Sequence, residues 1–211
     1  MENTTETLPS KLKFDNPVKV TKPEPWQWKL LAKAFLHDQV TRFLFGENVD
    51  ETILENFFES IVKDTLISGG EIFCSPDQKA ILVWTWLGND SQTSNEFKRQ
   101  VYEILGTEGT NRYHWLYEEG DIQLDMTKAQ KSMEPAFVAV HPEKQGQGYG
   151  GHIFKWTLEY FDKKGYYSPY ILASSKRSAK LYCSLLGYYA HKEIFIPKED
   201  EPIAILLKRI E

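Results

Sequence analysis

Strand-like and helix-like stretches follow one another in this chain in the order β-α-α-β-β-α-β-α-β-α-β-β, which predicts an α+β (mixed α/β) fold. The expected core is a central, mostly antiparallel sheet of about seven strands with helices on both faces. Three observations carry this reading. Short runs of β-branched and aromatic residues are bounded by turn residues, several stretches repeat apolar residues at helical spacing, and a glycine-rich loop joins a strand directly to a helix over Ala136–Gly151.

Residues 1–16 carry little apolar content and read as a disordered leader, leaving residues 17–211 as one domain. Val18–Thr21 is the first expected strand. Pro23 and Pro25 open a helix at Trp26 that turns Leu30, Leu31, Ala34 and Phe35 inward; Asp50 caps a second helix with Ile53, Leu54, Phe57, Phe58 and Ile61 on one face, ended by Gly69-Gly70. Ile72–Cys74 and Ala80–Trp86 make a hairpin about Ser75-Pro76-Asp77. Phe97, Val101, Ile104 and Leu105 predict a further helix, while Tyr113–Tyr117 fits either helix or loop. After the strand at Ala136–Val140 and the glycine loop, Ile153, Phe154, Thr157, Leu158 and Phe161 mark a helix that stops at Gly165. A strand at Tyr170–Ser174, a helix at Ser175–Leu186 ended by Gly187, and strands at Ala190–Ile196 and Ile203–Lys208 complete the order.

Composition narrows the function. The chain has 211 residues, 41% of them hydrophobic, enough for one buried core. A net charge of −5 argues against nucleic acid or a membrane surface as partner and favours cationic small molecules. The polar, acidic start lacks an apolar targeting segment, and no run approaches the ~18 to 20 apolar residues of a membrane span. With Cys74 and Cys183 as the only cysteines there is no disulfide framework, and a cytoplasmic location is expected. The five histidines show no metal-ligand spacing, so no metal is expected.

The loop Gln145-Gly146-Gln147-Gly148-Tyr149-Gly150-Gly151 has the layout of an anion site. The first turn of a helix holds four N–H groups without intrahelical partners and about half a positive charge from the macrodipole, and the glycines let a phosphate come close. A tight turn without a ligand is the plainer alternative. Gly146, Gly148 and Gly151 also satisfy G-x-G-x-x-G, but the stretch about 20 residues on, Tyr170–Ser175, has no carboxylate for a dinucleotide ribose; no Lys-Ser or Lys-Thr follows, as a Walker A loop requires.

Val140-His141-Pro142 followed by Gln145–Gly150 resembles the Q/R-x-x-G-x-G/A signature of the GCN5-related N-acetyltransferases (GNAT). Ser175–Tyr188 is similar to that family's later helix with its Tyr-x-x-x-Gly-Phe ending, and Ala80–Trp84 with the element order resembles the puromycin N-acetyltransferase-like branch. The resemblance implies the GNAT-type acyl-CoA N-acyltransferase fold, with a splayed parallel strand pair at the cofactor, and acetyl-CoA as cosubstrate. It puts the diphosphate on Gln145, Gly146, Gln147, Gly148, Tyr149, Gly150 and Gly151 and pantetheine along Val138, Ala139 and Val140, with Ser175 and Ser178 at the cofactor as well. It also implies direct acetyl transfer to a primary amine, here a small molecule, through a tetrahedral intermediate; a homodimer is compatible with it.

Such a transfer needs a base for the ammonium proton and an acid for the departing thiolate. In the family's pattern the acid is a tyrosine at the position of Cys183, and this chain has Tyr182 one residue earlier. One helical position is about 100° of rotation. Either a one-residue bulge between 182 and 187 brings the Tyr182 hydroxyl to the sulfur, or Cys183 lines the site; both residues also suit a packed core. Glu134, just ahead of the loop's strand, is the candidate base, and a solvated loop carboxylate is its plainer reading. The acceptor pocket is expected from Phe43, Phe45, Trp84, Trp86, Tyr113 and Trp115, with Asp38 and Glu47 supplying negative charge. A non-catalytic acyl-CoA-binding module, a protein or peptide N-acetyltransferase and a dinucleotide-dependent oxidoreductase are the alternatives.

Overall fold

The computed structural model describes residues 14–87, 94–120 and 129–209. The elements are β1 (Val18–Val20), α1 (Pro25–Phe35), α2 (Gln39–Phe45), α3 (Glu51–Ile67), β2 (Glu71–Cys74), β3 (Ala80–Trp86), α4 (Asn95–Glu119), β4 (Met133–Val140), α5 (Tyr149–Lys163), β5 (Tyr170–Ala173), α6 (Lys176–Leu186), β6 (Tyr188–Ile194) and β7 (Ala204–Arg209). The class is the expected mixed α/β, with helices on both sides of antiparallel strands.

The seven strands form two sheets instead of one: β1-β2-β3-β4 and β5-β7-β6, each antiparallel throughout. Among the described residues the two meet at a parallel bridge between Ser132 and Tyr167, where the Met133 N–H donates to the Tyr167 carbonyl at 2.8 Å and the Tyr167 N–H to the Lys131 carbonyl at 2.9 Å. Beyond that point β5 leaves β4.

β3 reads Ala-Ile-Leu-Val-Trp through its buried length because both of its faces are covered. Period 2 divides the strand: Leu82 and Trp84 join the core under α5 and α6, and Ile81 and Val83 the core under α1 and α3. β4 follows the same rule with one interruption. Met133, Val138 and Val140 share the α5 side although 133 is odd and the others even. The register against β3 jumps from Val83–Phe137 to Trp84–Pro135, so Ala136 is an extra residue, a β-bulge that reverses the parity of the strand. Burying each of the large side chains stabilises the fold by about 1.5–3 kcal/mol.

One helix goes beyond the sequence reading and one open alternative closes. α2 is absent from the sequence reading because seven residues are too few to display a helical period; the Asp38 cap, whose Oδ1 accepts from the Val40 and Thr41 N–H groups at 3.0 and 3.1 Å, was the available signal. The stretch Tyr113–Tyr117 is helical, in the second half of an α4 kinked at Gly106 (φ 67°). The leader expected over residues 1–16 lies outside the described residues as far as 13, but Phe14 is placed, stacked on His152.

Candidate active site

Where β5 departs, β4 has a free edge, and alternation along the strand decides which groups face it. The His141 N–H donates to Lys79 of the β3 side at 2.8 Å, so the backbone groups of Val138 and Val140 point the other way, towards the opening. The Val140 carbonyl accepts from the Gln145 side chain there at 3.3 Å. Without the bulge at Ala136, those amides would be turned into the sheet. Ala139 is buried against the α1 and α3 core, and its side chain does not reach the opening.

The loop then enters α5 through Gly148, which has φ 92° and serves as the N-cap without any side-chain bond. In α2, α3, α4 and α6 the corresponding donors are taken by Asp38, Asp50, Ser94 and Ser175. The first intrahelical bond of α5 runs from the His152 N–H to the Gly148 carbonyl at 2.9 Å, which leaves the N–H groups of Tyr149, Gly150 and Gly151 for an external acceptor. At Gly151 a Cβ would stand 3.2 Å from the Leu185 side chain of α6, a tight contact that a larger residue would relieve only by moving that side chain. Lys144, Lys155, Arg177 and Lys180 surround this end, and Ser175 and Ser178 share it. This cluster of cations in an acidic chain was not read from the sequence. Lys155, one turn after Gly151, and the Lys176-Arg177 pair at the start of α6 were its signals.

One cavity of about 1580 Å³ runs from this loop along β4 to the far side of the sheet. Gln145, Gly146, Gly148, Tyr149, Gly150, Gly151, Val138, Val140, Ser175, Ser178, Tyr182 and Glu134 all line it; Gln147 instead turns its side chain to the Glu143 carbonyl at 2.9 Å. The volume exceeds the ~300–1,000 Å³ of a site for one drug-sized ligand, so the cavity has room for two reactants.

Glu134 sits at the inner end. Its Oε1 accepts from the Thr85 hydroxyl at 3.3 Å, and Tyr170 donates a second hydrogen bond. Burial outweighs both and pushes its pKa up to about 7. That charge in turn raises the Tyr117 hydroxyl well above its ordinary range, and burial together with Glu134 does the same to Tyr170. Asp38 is also displaced upward by burial, despite the α2 N–H groups and the Ser174 hydroxyl that stabilise its anion. No cationic side chain pairs with Glu134 or Asp38 among the described residues.

α6 is a regular helix from Lys176 to Leu186, with no bulge between 182 and 187. Tyr182 is on its buried face with Ala179 and Leu186, its ring 5.1 Å from Phe154, and it reaches the cavity wall without one. Burial, then the Asp38 charge, raise its pKa and keep the hydroxyl protonated. Cys183 packs against the core and does not line the cavity. Of the aromatic residues expected at the acceptor end, Phe45, Trp86 and Tyr113 line it. Trp84 is fully buried, and Phe43 and Trp115 pack on each other 5.4 Å apart in a satellite core. Glu47 is exposed and away from the wall, which Phe35, Phe57, Phe58 and Phe137 complete. Among the described residues no group of three or more His, Cys, Asp and Glu is arranged to hold a metal, and no helix is long and apolar enough to cross a membrane.

No family model and no curated protein matches the chain. Solved structures do. A histone acetyltransferase HPA2-related acetyltransferase from Corynebacterium glutamicum superposes with a TM-score of 0.60 at 16% identity, over 92% of this chain and 97% of that one. Arylalkylamine N-acetyltransferase 2 from Aedes aegypti gives 0.59 at 16% identity over 93% and 100%. An agmatine N-acetyltransferase gives 0.52 at 13% over 92% and 98%. At these identities the likeness is one of fold: the chain is built as these acetyltransferases are.

Proposed function

We propose that this protein is an acetyl-CoA-dependent N-acetyltransferase of the GNAT type that acetylates a primary amine of a small molecule. The observation that carries the reading is the sequence of features along one cavity: an uncapped helix N-terminus ringed by cations, then a free strand edge, then a buried carboxylate with a pKa of about 7. Phosphates, pantetheine amides and an amine to be deprotonated need these groups in this order. The arylalkylamine and agmatine N-acetyltransferases that share the fold add support for a small amine. The puromycin-like branch rests on Ala80–Trp84 and the element order alone.

In this reading Gly146, Gly148, Tyr149, Gly150 and Gly151 cradle the diphosphate, with Gln145 and Gln147 shaping the loop, while Lys144, Lys155, Arg177 and Lys180 supply countercharge. Val138 and Val140 pair with pantetheine as an added strand would, Ala139 seats the strand, and Ser175 and Ser178 border the cofactor. Asp38 draws the acceptor's ammonium into the cavity. Glu134 takes one ammonium proton through water and passes it to solvent. The freed lone pair attacks the thioester carbonyl, and the C–S bond breaks as the tetrahedral intermediate collapses. Tyr182 protonates the leaving sulfur, and the excess N–H proton of the intermediate replaces the one it gave, so that amide, thiol and one released proton balance the ammonium and thioester.

Thermal unfolding with acetyl-CoA, CoA or NAD tests the reading, since a ligand at 100-fold its Kd stabilises by about 2.7 kcal/mol. A rise with acetyl-CoA and CoA, followed by acetylation of members of an amine panel, is the expected result. A shift with NAD alone overturns it. Binding of acetyl-CoA with no amine or peptide acetylated leaves a non-catalytic acyl-CoA module, and acetylation of peptides alone moves the acceptor to protein.

A further inference from the structure

We infer that Phe14 and Asp15, which precede β1, form a strap that buttresses the diphosphate loop, making the affinity for the ADP half of CoA depend on a residue outside the cavity; the inference rests on the cofactor reading above.

Phe14 stacks on His152 with centroids 4.8 Å apart and 22° between planes, and meets Tyr149 edge-on at 5.0 Å. The Asp15 carbonyl lies 3.1 Å from His152 Nε2. A Cβ on Gly148 would touch the Phe14 ring at 3.4 Å. Gly148, Tyr149 and His152 are the N-cap, first and fourth residues of α5, the turn whose N–H groups face the ligand. Tyr149 is held from a second direction, its hydroxyl donating to Asp77 of the β2–β3 turn at 2.7 Å.

Position gives the sign of the effect. Gly148, Tyr149 and His152 line the cavity and Phe14 does not, so the ring backs the loop instead of occupying the phosphate seat. Gly146 and Gly148 have φ of 77° and 92°, and a loop of glycines has the most conformational freedom to lose when a ligand fixes it. A strap that fixes the loop beforehand lowers that cost and tightens binding. Coupling of this kind is reciprocal: if Phe14 strengthens CoA binding, CoA strengthens the seating of Phe14 by the same factor.

The test uses the full chain, its Phe14→Ala and Phe14→Tyr variants, and CoA, 3′-phospho-ADP and pantetheine as probes. Calorimetry is expected to give a CoA Kd about 10-fold weaker for Phe14→Ala, the order two aromatic contacts supply, and near wild type for Phe14→Tyr. In acetylation the KM for acetyl-CoA rises with kcat unchanged, a split that general loss of structure does not produce. CoA and 3′-phospho-ADP are expected to lose affinity together in Phe14→Ala, while pantetheine, which does not reach the loop, is expected to bind both forms alike. Equal CoA affinity in wild type and Phe14→Ala, or tighter binding by the variant, overturns the strap and leaves the acetyltransferase reading standing. Failure of the wild type to bind CoA overturns both.

Discussion

The two ends of the cavity are built on different principles. At the loop, the groups proposed to meet the cofactor are backbone: N–H donors of one helix turn, the edge of β4, and glycines that let them be approached. At the far end they are side chains, Glu134 and Asp38, whose properties come from elements distant in sequence: Thr85 and Tyr170 for one, Ser174 and the first turn of α2 for the other. A backbone site is encoded over a few consecutive residues. A site whose chemistry depends on burial is encoded by everything that buries it.

Substitutions can set the two ends against each other. The largest expected effect is at the backbone end: Gly148→Glu forces a side chain to φ 92° and puts negative charge at a helix N-terminus, and should weaken acetyl-CoA at least ~100-fold by calorimetry. Glu134→Gln should leave that affinity alone while lowering kcat/KM by about 10²-fold. Its pH profile carries the diagnosis: wild-type kcat/KM should climb as pH rises through about 7, where Glu134 loses its proton, and the Gln variant should lack that limb.

Stability should move oppositely. The folded carboxyl holds its proton to about pH 7, whereas the unfolded one releases it near its ordinary value of 4.5. Between these pH values the native state binds more protons, so this group's contribution is present below pH 4.5, falls as pH rises, and is fully lost above about 7. Glu134→Gln should therefore unfold several degrees higher than wild type at pH 8, with the gap closing at pH 5; a gap that widens on acidification would contradict the burial argument. A smaller effect is expected at Asp38. Asn caps a helix as well as Asp does, so Asp38→Asn should raise the amine KM ~10-fold with little change in Tm, while Asp38→Ala should add a loss of about 1 kcal/mol. Cys183→Ala, away from the wall, should change kcat less than about twofold, because the side chain does not line the cavity.

What the sequence made legible follows the same division. The loop, the helix after it and the β2–β3 hairpin were readable because strand alternation, helical period and turn chemistry are local. The bulge at Ala136 was not: it lies in a register between β3 and β4, and Met-Glu-Pro-Ala-Phe-Val shows no gap or glycine to mark it. Glu134 was readable as a carboxylate beside the site, but its pKa depends on Thr85 and Tyr170, which only the fold brings near. Tyr182 looked one position out of place on the helix; the regular α6 turns it to the cavity and Cys183 to the core. Sequence order assigns strands without assigning neighbours, so the splayed parallel pair came from the family resemblance alone and the division into two sheets from neither.

That separation has a consequence for how the molecule breathes. Past the bridge at Ser132 and Tyr167, no strand among the described residues covers the Val138 and Val140 amides, so in the unliganded protein they should trade hydrogen for solvent deuterium far faster than the β3-paired amides of the same strand. A bound pantetheine arm would act as the missing rung of a ladder, and the slowing of exchange at alternate residues of β4 would trace its path.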